Sequence, residues 1–536
     1  MNASLPLFVR RRDGSQVPFD ADCICRSLYE AATDFGGGGA FLARELTDVV
    51  VHFLSQEDWR HVPTTVQIAE FVEKIVREAG QPALARKYGE IQRDTESMML
   101  RADVPLSVAR SESAEQLMAN CFAAFEKDTI FSRDVSAALG DGMIRIVAPV
   151  APTALTSLVL DTRQFAELPW WADFASWRDV GGACWIVDSP EWLCTGQMNP
   201  AFTSHLCEHL LALPTFAGRE VELHLNCSEP PAWAQPFPAR PLFSTDDEVN
   251  AADRGSFLDN LLVRWKALDT TRPSTIAWHL DRAAFADDLR RRRLIALLRQ
   301  TYHGRAVRFI FDRPGAGVLL GEGLERKSPG LIVEVAIDLA TLIRKPHVRV
   351  DAVTFLRKLP SLARLAVSVV RQKQAFLRKH AKNHLLTSAF AIDRAVGVIA
   401  PLGLDQVVRT LTGERLSRSP LSLDFAERIL RTLRTTLDDA SEAANVQLRI
   451  DSPPALAGSE LSANEESLPI EKQLAVAGKL HAAAGGGTAV LLLEAEREPD
   501  WEKLVGQLST AWETAEIRRI VIRRSVNAVK QAELEM

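Results

Sequence analysis

The sequence predicts an α+β domain, a short sheet with four helices, followed by an α/β domain with much parallel sheet. Three observations lead there. Residues 7–19 alternate in polarity around an Asp13-Gly14 turn, which is a hairpin signal. Between residues 20 and 97 apolar side chains recur at helical spacing in four blocks. From about residue 116 short apolar runs alternate with longer helical segments, the pattern of strands joined by crossover helices.

Taken in order, Asp20 is placed to cap a helix whose apolar face runs through Ile24, Leu28, Ala31 and Phe35, and Gly36 to Gly39 stop it. A second helix covers roughly 40–55, with Leu42, Leu46, Val50 and Phe53 in step. The third has the best local signature. Thr64 and Gln67 fit a capping box, Ile68, Val72, Ile75 and Val76 form the buried stripe, and Gly80 stands where a C-terminal cap is expected. A fourth helix runs from about Pro82 to Ser97, and the polar stretch 98–115 suits a linker. Strand candidates follow at Met143 to Val150, Val221 to Leu225, Val307 to Phe311, Leu331 to Ile337, Val446 to Ile450 and Ala489 to Leu493. The helix after Ser422 puts Phe425, Ile429, Leu433 and Leu437 on one face, Pro230 to Pro241 is a loop, and Gln531 to Met536 frays.

The chain has 536 residues, room for two to four domains and a sizeable core, and its net charge of −6 argues against general nucleic-acid binding. Its seven cysteines form no C-x-x-C pair, so no zinc ribbon is read and no metal site is expected. Their odd number and scatter fit reduced thiols and a cytoplasmic protein. No signal peptide or membrane span is expected, because the apolar run Ala489 to Leu493 is far too short to cross a bilayer.

Arg10, Arg11 and Arg12 run into the hairpin turn, and Pro18-Phe19-Asp20 then starts a helix. Fixed cations and a helix N-terminus thus stand close together, and both favour an anion. VRRRDGS (Val9–Ser15), PFD (Pro18–Asp20), VPTTVQIAEFVEKIVRE (Val62–Glu78) and LARKYGEIQR (Leu84–Arg93) resemble, in order and spacing, the ATP-cone, a small nucleotide-binding regulatory domain. The resemblance implies that ATP or dATP binds between hairpin and helices, with Mg2+ accompanying the nucleotide. It places Arg11 and Arg12 at the phosphates, Phe19 and Ile24 near the base, Asp20 near sugar and base, and Thr65 as a polar contact opening the third helix. The family's lysine before the first helix's isoleucine is Cys23 here, and Asp94, beside Arg93, stands near the place of a late basic residue. Arg10 compensates in part.

The remainder is similar to the anaerobic (class III) ribonucleotide reductases. The similarity rests on Lys479 to Trp512, Pro401 to Leu416, the Ser422 helix, the strand ending at Asp451-Ser452-Pro453, and GLIVEVAIDL at Gly330–Leu339. It implies a ten-stranded glycyl-radical-type α/β barrel and a plan of 7–97 nucleotide-binding domain, 98–115 linker and 116–527 barrel. Radical reduction of a ribose needs a thiyl radical and a stored glycyl radical, which the family carries after a four-cysteine zinc site. This sequence has no cysteine after Cys227 and stops about where that site would begin, and the barrel cysteine aligns near Val307 to Arg313, VRFIFDR. No catalytic residue is therefore assigned.

The expectation is an ATP- or dATP-binding regulatory protein with an inactive reductase-like domain, nucleotide binding controlling its association with itself or with a reductase-related protein. One alternative is a ribonucleoside-triphosphate reductase subunit that needs a separate glycyl-radical chain. Another is a structural relic. Other features read as structural. Cys184 and Cys194, around Trp185 to Trp192, are buried small residues rather than relic thiols. Gly315-Ala316-Gly317 is a turn, since it lacks the lysine and spacing of a phosphate loop. Gly485 to Gly487 is a tight approach, RQKQAFLRKHAK (Arg371–Lys382) a solvated helix face, and His224, His279 and His303 are core or loop histidines without metal spacing.

Overall fold

A computed structural model describes residues 5–10, 16–33, 40–57, 59, 61–94, 122–147, 152–160, 162, 184–194, 200–217, 220–231, 247–268, 274–321, 324–328, 330–344, 351–380, 389–452, 461–463, 468–494 and 497–524. By its contacts the chain divides into two units: Met1–Arg145 with Arg344–Lys373, and Ile146–Ile343 with Gln374–Met536. The division cuts through the 116–527 segment proposed from sequence, and the 98–115 linker lies outside the described residues.

In the first unit β1 (Phe8–Arg10) and β2 (Gln16–Pro18) pair antiparallel, with Phe8 opposite Pro18 and Arg10 opposite Gln16. The helices are α1 (Ala21–Thr33), α2 (Ala40–Leu54), α3 (Thr65–Glu78) and α4 (Pro82–Asp94). Asp20 caps α1: its Oδ1 accepts the backbone N–H of Asp22 at 3.0 Å. Thr64 and Gln67 form the capping box at the start of α3. At its end Gly80 has φ +81, its N–H reaches the Arg77 carbonyl, and the Gln81 N–H reaches the Val76 carbonyl, a Schellman motif. Ile24, Leu28, Ala31, Leu46, Val50, Ile68, Val72, Ile75 and Val76 make one apolar cluster.

Two details of the first-unit reading change. Phe35 and Gly36 to Gly39 lie outside the described residues. Phe53 is 44% exposed, not part of the α2 stripe. The buried line runs through Ala43, Leu46, Val50 and Leu54, whose three- and four-residue steps hold one face while Phe53 falls beside it. The first unit also contains helix α5 (Arg133–Gly140) and the part of helix α6 (Ala352–His380) up to Lys373.

β3 (Ile144–Ile146) lies where the chain passes from the first unit to the second. In the second unit β4 (Ser157–Leu160), β5 (Cys184–Asp188), β6 (Glu220–Leu225), β7 (Thr275–Leu280) and β8 (Val307–Phe311) pair in parallel. So do β9 (Gly330–Asp338), β10 (Val396–Leu402) and β11 (Gln447–Ile450), and separately β12 (Thr488–Leu493) and β13 (Arg519–Arg524). The path runs β11-β10-β9-β4-β5-β6-β7-β8-β13-β12, with antiparallel joints at β4·β9 and β8·β13.

The ends of that path, β11 and β12, are joined by side chains. Just past β11, Asp451 accepts from Thr488 Oγ1 at 2.9 Å and from Arg519 Nη2 at 3.2 Å, and Arg519 Nε donates to Thr488 at 2.7 Å. Gly487 precedes β12 with φ +142, and a Cβ there would stand 2.8 Å from Leu461 Cδ1, so the close approach read from the glycine run is real. One face of the sheet packs Trp185, Val187, Leu223, Trp278 and Phe309 under helices. The opposite face carries Ile186, Val398 and the inserted residues Val318, Leu320 and Leu324. VRFIF at 307–311 is strand β8, whose Ile310 packs with Leu319 of the inserted stretch. Among the described residues no helix is long and apolar enough to cross a membrane.

Candidate functional site

The hairpin and the helices of the first unit line an open cavity of about 180 Å3. Val9 and Val17 come from the two strands, and Phe19, Asp20, Cys23, Ile24 and Ser27 from the entry and first turns of α1. Thr65, Ile68 and Ala69 come from the start of α3, and Tyr88 from α4. The walls follow from register. The Val9–Val17 pair points both side chains to one side of the hairpin, and the first turns of α1 and α3 close it. Arg10 fixes the hairpin against α3, its N–H donating to the Pro63 carbonyl at 2.9 Å.

Phe19, Asp20, Ile24 and Thr65 therefore meet at one cavity. Arg11 and Arg12 lie outside the described residues, after the exposed Arg10 of β1. Ile24 is buried, Phe19 and Asp20 are half-buried, and Thr65 is exposed at the first position of α3. Cys23 lines the cavity at the lysine position of the resemblance, and burial pushes its thiol pKa upward. Tyr88 was missed: it sits in the quoted LARKYGEIQR segment and is buried one helical turn after Leu84 on α4.

Asp20 also takes part in a polar cluster. Arg371 Nη2 donates to Asp20 Oδ1 at 2.9 Å and to Asp22 Oδ2. Arg44 donates to Asp22 at 2.7 Å and to Asp134 at 3.2 Å, and the Cys25 thiol donates to Asp134 at 3.0 Å. Burial would raise the pKa of Asp22, but Arg44 and Arg371 outweigh it and hold the carboxyl below its ordinary value. The expected solvated face of RQKQAFLRKHAK is thus wrong for its first half. Lys373 is buried against Glu126, and the Gln372 side chain bonds Ser132.

In the second unit the carboxyl ends of β5 to β8 hold buried polar groups. His224 Nδ1 and His279 Nε2 lie 2.9 Å apart, and His279 Nδ1 meets Asp312 at 3.0 Å. Burial opposes charge on both imidazoles. Asp312 and Cys227 nevertheless raise His279 well above 6.5, whereas His224 stays well below it. Arg326 donates to Asp188 and Ser189, both at 2.7 Å, holding Ser189 at φ 52. Burial pushes Glu191 up to about 7. Cys194 and Cys207 sit in the apolar core, their thiols pushed up to about 12 by burial. Ala316 lies in a turn closed by its N–H to the Arg313 carbonyl, Gly315 having φ +78. Among the described residues no group of three or more His, Cys, Asp or Glu is arranged to hold a metal ion.

Residues 7–96 match the family model described as ATP cone domain. No curated protein matches the sequence. Among solved structures the chain is similar to an anaerobic ribonucleotide reductase, at TM-score 0.58 and 10% identity over 76% of this chain and 77% of that one. It is also similar to the Thermotoga maritima anaerobic ribonucleotide reductase with dATP bound in the specificity site, at TM-score 0.58 and 11% identity over 95% and 92%. A third match is that enzyme in complex with dATP and CTP, at TM-score 0.56 and 10% identity over 76% and 81%. At such identity the likeness shows the fold: an ATP-cone followed by an α/β unit similar to anaerobic ribonucleotide reductases.

Proposed function

We propose that this chain is a regulatory protein that binds ATP or dATP between the hairpin, α1, α3 and α4. Binding would control its association with a second copy or with a reductase-related protein. The observation that carries the reading is convergence. Four residues chosen from sequence, Phe19, Asp20, Ile24 and Thr65, line one small cavity with apolar walls. Such walls suit a flat heteroaromatic base, and Asp20 supplies an acceptor for a sugar hydroxyl. The triphosphate then lies along Arg10, Arg11 and Arg12 and the N-terminus of α3, where guanidinium groups and unpaired N–H groups favour negative charge. Mg2+ arrives on the phosphates.

We further propose that the sheet of the second unit closes as a ten-stranded barrel through Asp451, Thr488 and Arg519, and that it does not reduce ribonucleotides. No cysteine stands on β7 to β13 or on the inserted segment 318–324, because every cysteine lies at or before Cys227. Cys194 and Cys207 are enclosed by apolar side chains. A thiyl mechanism needs a sulfur open to its substrate; among the described residues the half-buried Cys184 of β5 packs against the face of Ile186 and Val398, and no cysteine follows Cys227.

Titration of the purified chain with ATP and with dATP, by calorimetry and by light scattering, tests the proposal. Heat of binding with a change of assembly size is the expected result. No heat from either nucleotide removes the first half. Deoxynucleotide formation once a glycyl-radical chain and its activating enzyme are added removes the second.

A further inference from the structure

We propose that Arg371, far outside the cone segment, completes the nucleotide site by positioning Asp20 for a sugar hydroxyl. The inference rests on the nucleotide reading above and adds a residue to it. Asp20 lines the cavity, and its Oδ1 is fully engaged, accepting the Asp22 N–H at 3.0 Å and Arg371 Nη2 at 2.9 Å. Among the described residues Oδ2 has only the Cys23 thiol, at 3.7 Å. The carboxylate is therefore turned with one oxygen locked and the other left for a ligand. Without Arg371, a half-buried aspartate at a helix cap would keep only its local backbone bond.

Arg371 is well placed to hold that orientation because it is held itself. Its Nη2 also bonds Asp22, which Arg44 and Ser368 grip in turn. The contact is one rung of a built stripe. Lys358 pairs with Glu45 at 3.7 Å, Ser361 bonds Asp48 at 2.6 Å, Arg364 pairs with Asp48 at 2.8 Å, and Ser368 and Arg371 meet Asp22 and Asp20. Positions 358, 361, 364, 368 and 371 step by three or four, so one face of α6 reads the acidic faces of α1 and α2. Among the described residues Nε and Nη1 of Arg371 have no partner, so the guanidinium is bound on one edge only.

Arg371→Ala and Arg371→Lys variants of the full chain would be titrated with ATP and with 2′,3′-dideoxy-ATP, alongside the wild type. The wild type should prefer ATP. In Arg371→Ala the affinity for ATP should fall about tenfold, the size of one charge-assisted contact, with dideoxy-ATP changed little and thermal unfolding still cooperative. Arg371→Lys should recover part of the preference. Equal losses for both nucleotides would reduce Arg371 to a structural role and overturn the proposal, as would an Arg371→Ala variant that keeps the wild-type preference. A wild type that binds neither nucleotide refutes the nucleotide reading itself, a different outcome from either.

Discussion

Each unit buries a charged cluster, and the two clusters are built differently. In the second, Arg519 and Asp451 are 0% and 1% exposed, and the Thr488 hydroxyl bonds both. In the first, Arg44, Asp22 and Asp134 are also buried, but the cluster continues through Arg371, whose side chain is 36% exposed, to Asp20 at the cavity. The sealed cluster can only hold strands together. The open-ended one ties a ligand wall to a helix nearly 350 residues further on. Burying ions costs several kcal/mol in solvation, so an ion cluster extended to a cavity edge points to positioning rather than to stability alone.

The largest expected effects come from leaving a buried charge without its partner. Arg519→Met and Arg44→Met should each lower unfolding free energy by about 3–5 kcal/mol in urea titrations. Only Arg44→Met should also weaken ATP binding, and equal effects on ATP would erase the contrast between the clusters. Glu191→Gln should act in the opposite direction with pH. Its carboxyl is raised from 4.5 to about 7, so the folded state binds the proton more tightly, and stability is lost as pH climbs through that window. The glutamine variant should match wild type near pH 4 and exceed it by something on the order of 3 kcal/mol above pH 8. A constant offset across that range would count against it.

Asp22 carries the reverse sign. Its pKa is depressed, so its contribution is present above the unfolded value and fades as pH falls through the folded one. Asp22→Asn should therefore be least different from wild type in acid, as thermal melts at pH 3 and 7 would show. Thr64→Ala should cost about 1 kcal/mol through the lost capping box. Arg364→Ala should cost under about 1 kcal/mol, since this rung of the stripe is 45% exposed. If that rung proves as costly as Arg44, the stripe is cooperative and the open cluster is larger than drawn.

What was legible in the sequence was local. The capping box, the Schellman glycine, the stripe of α3 and the Ile24, Leu28 and Ala31 positions of α1 depend on residues a few positions apart, and they stand as read. Strands β6, β8, β9 and β12 were visible as apolar runs because they are buried on both faces, and β11 by its alternation of exposed and buried residues. β7 and β13 were not, since TIAWHL carries a histidine and RIVIRR three arginines, and the acids that meet His279 and Arg519, Asp312 and Asp451, lie just past β8 and β11, far off in sequence. The same limit hid Arg371. A basic run looks solvated until the matching acids at 20 and 22 are known to face it. Four of the cavity's residues came from the family resemblance, while Tyr88 and Ser27 required the packing of α1 against α4.

The separation of Asp22 from Arg371, 349 positions, has a consequence for biosynthesis. At bacterial or eukaryotic translation rates the ribosome needs roughly 17–70 s between making one and the other. During that time the nascent amino-terminal helices hold a carboxylate cluster short of one of its guanidinium partners. The finished cone must await a late segment, so its maturation is timed by the elongation of everything encoded in between.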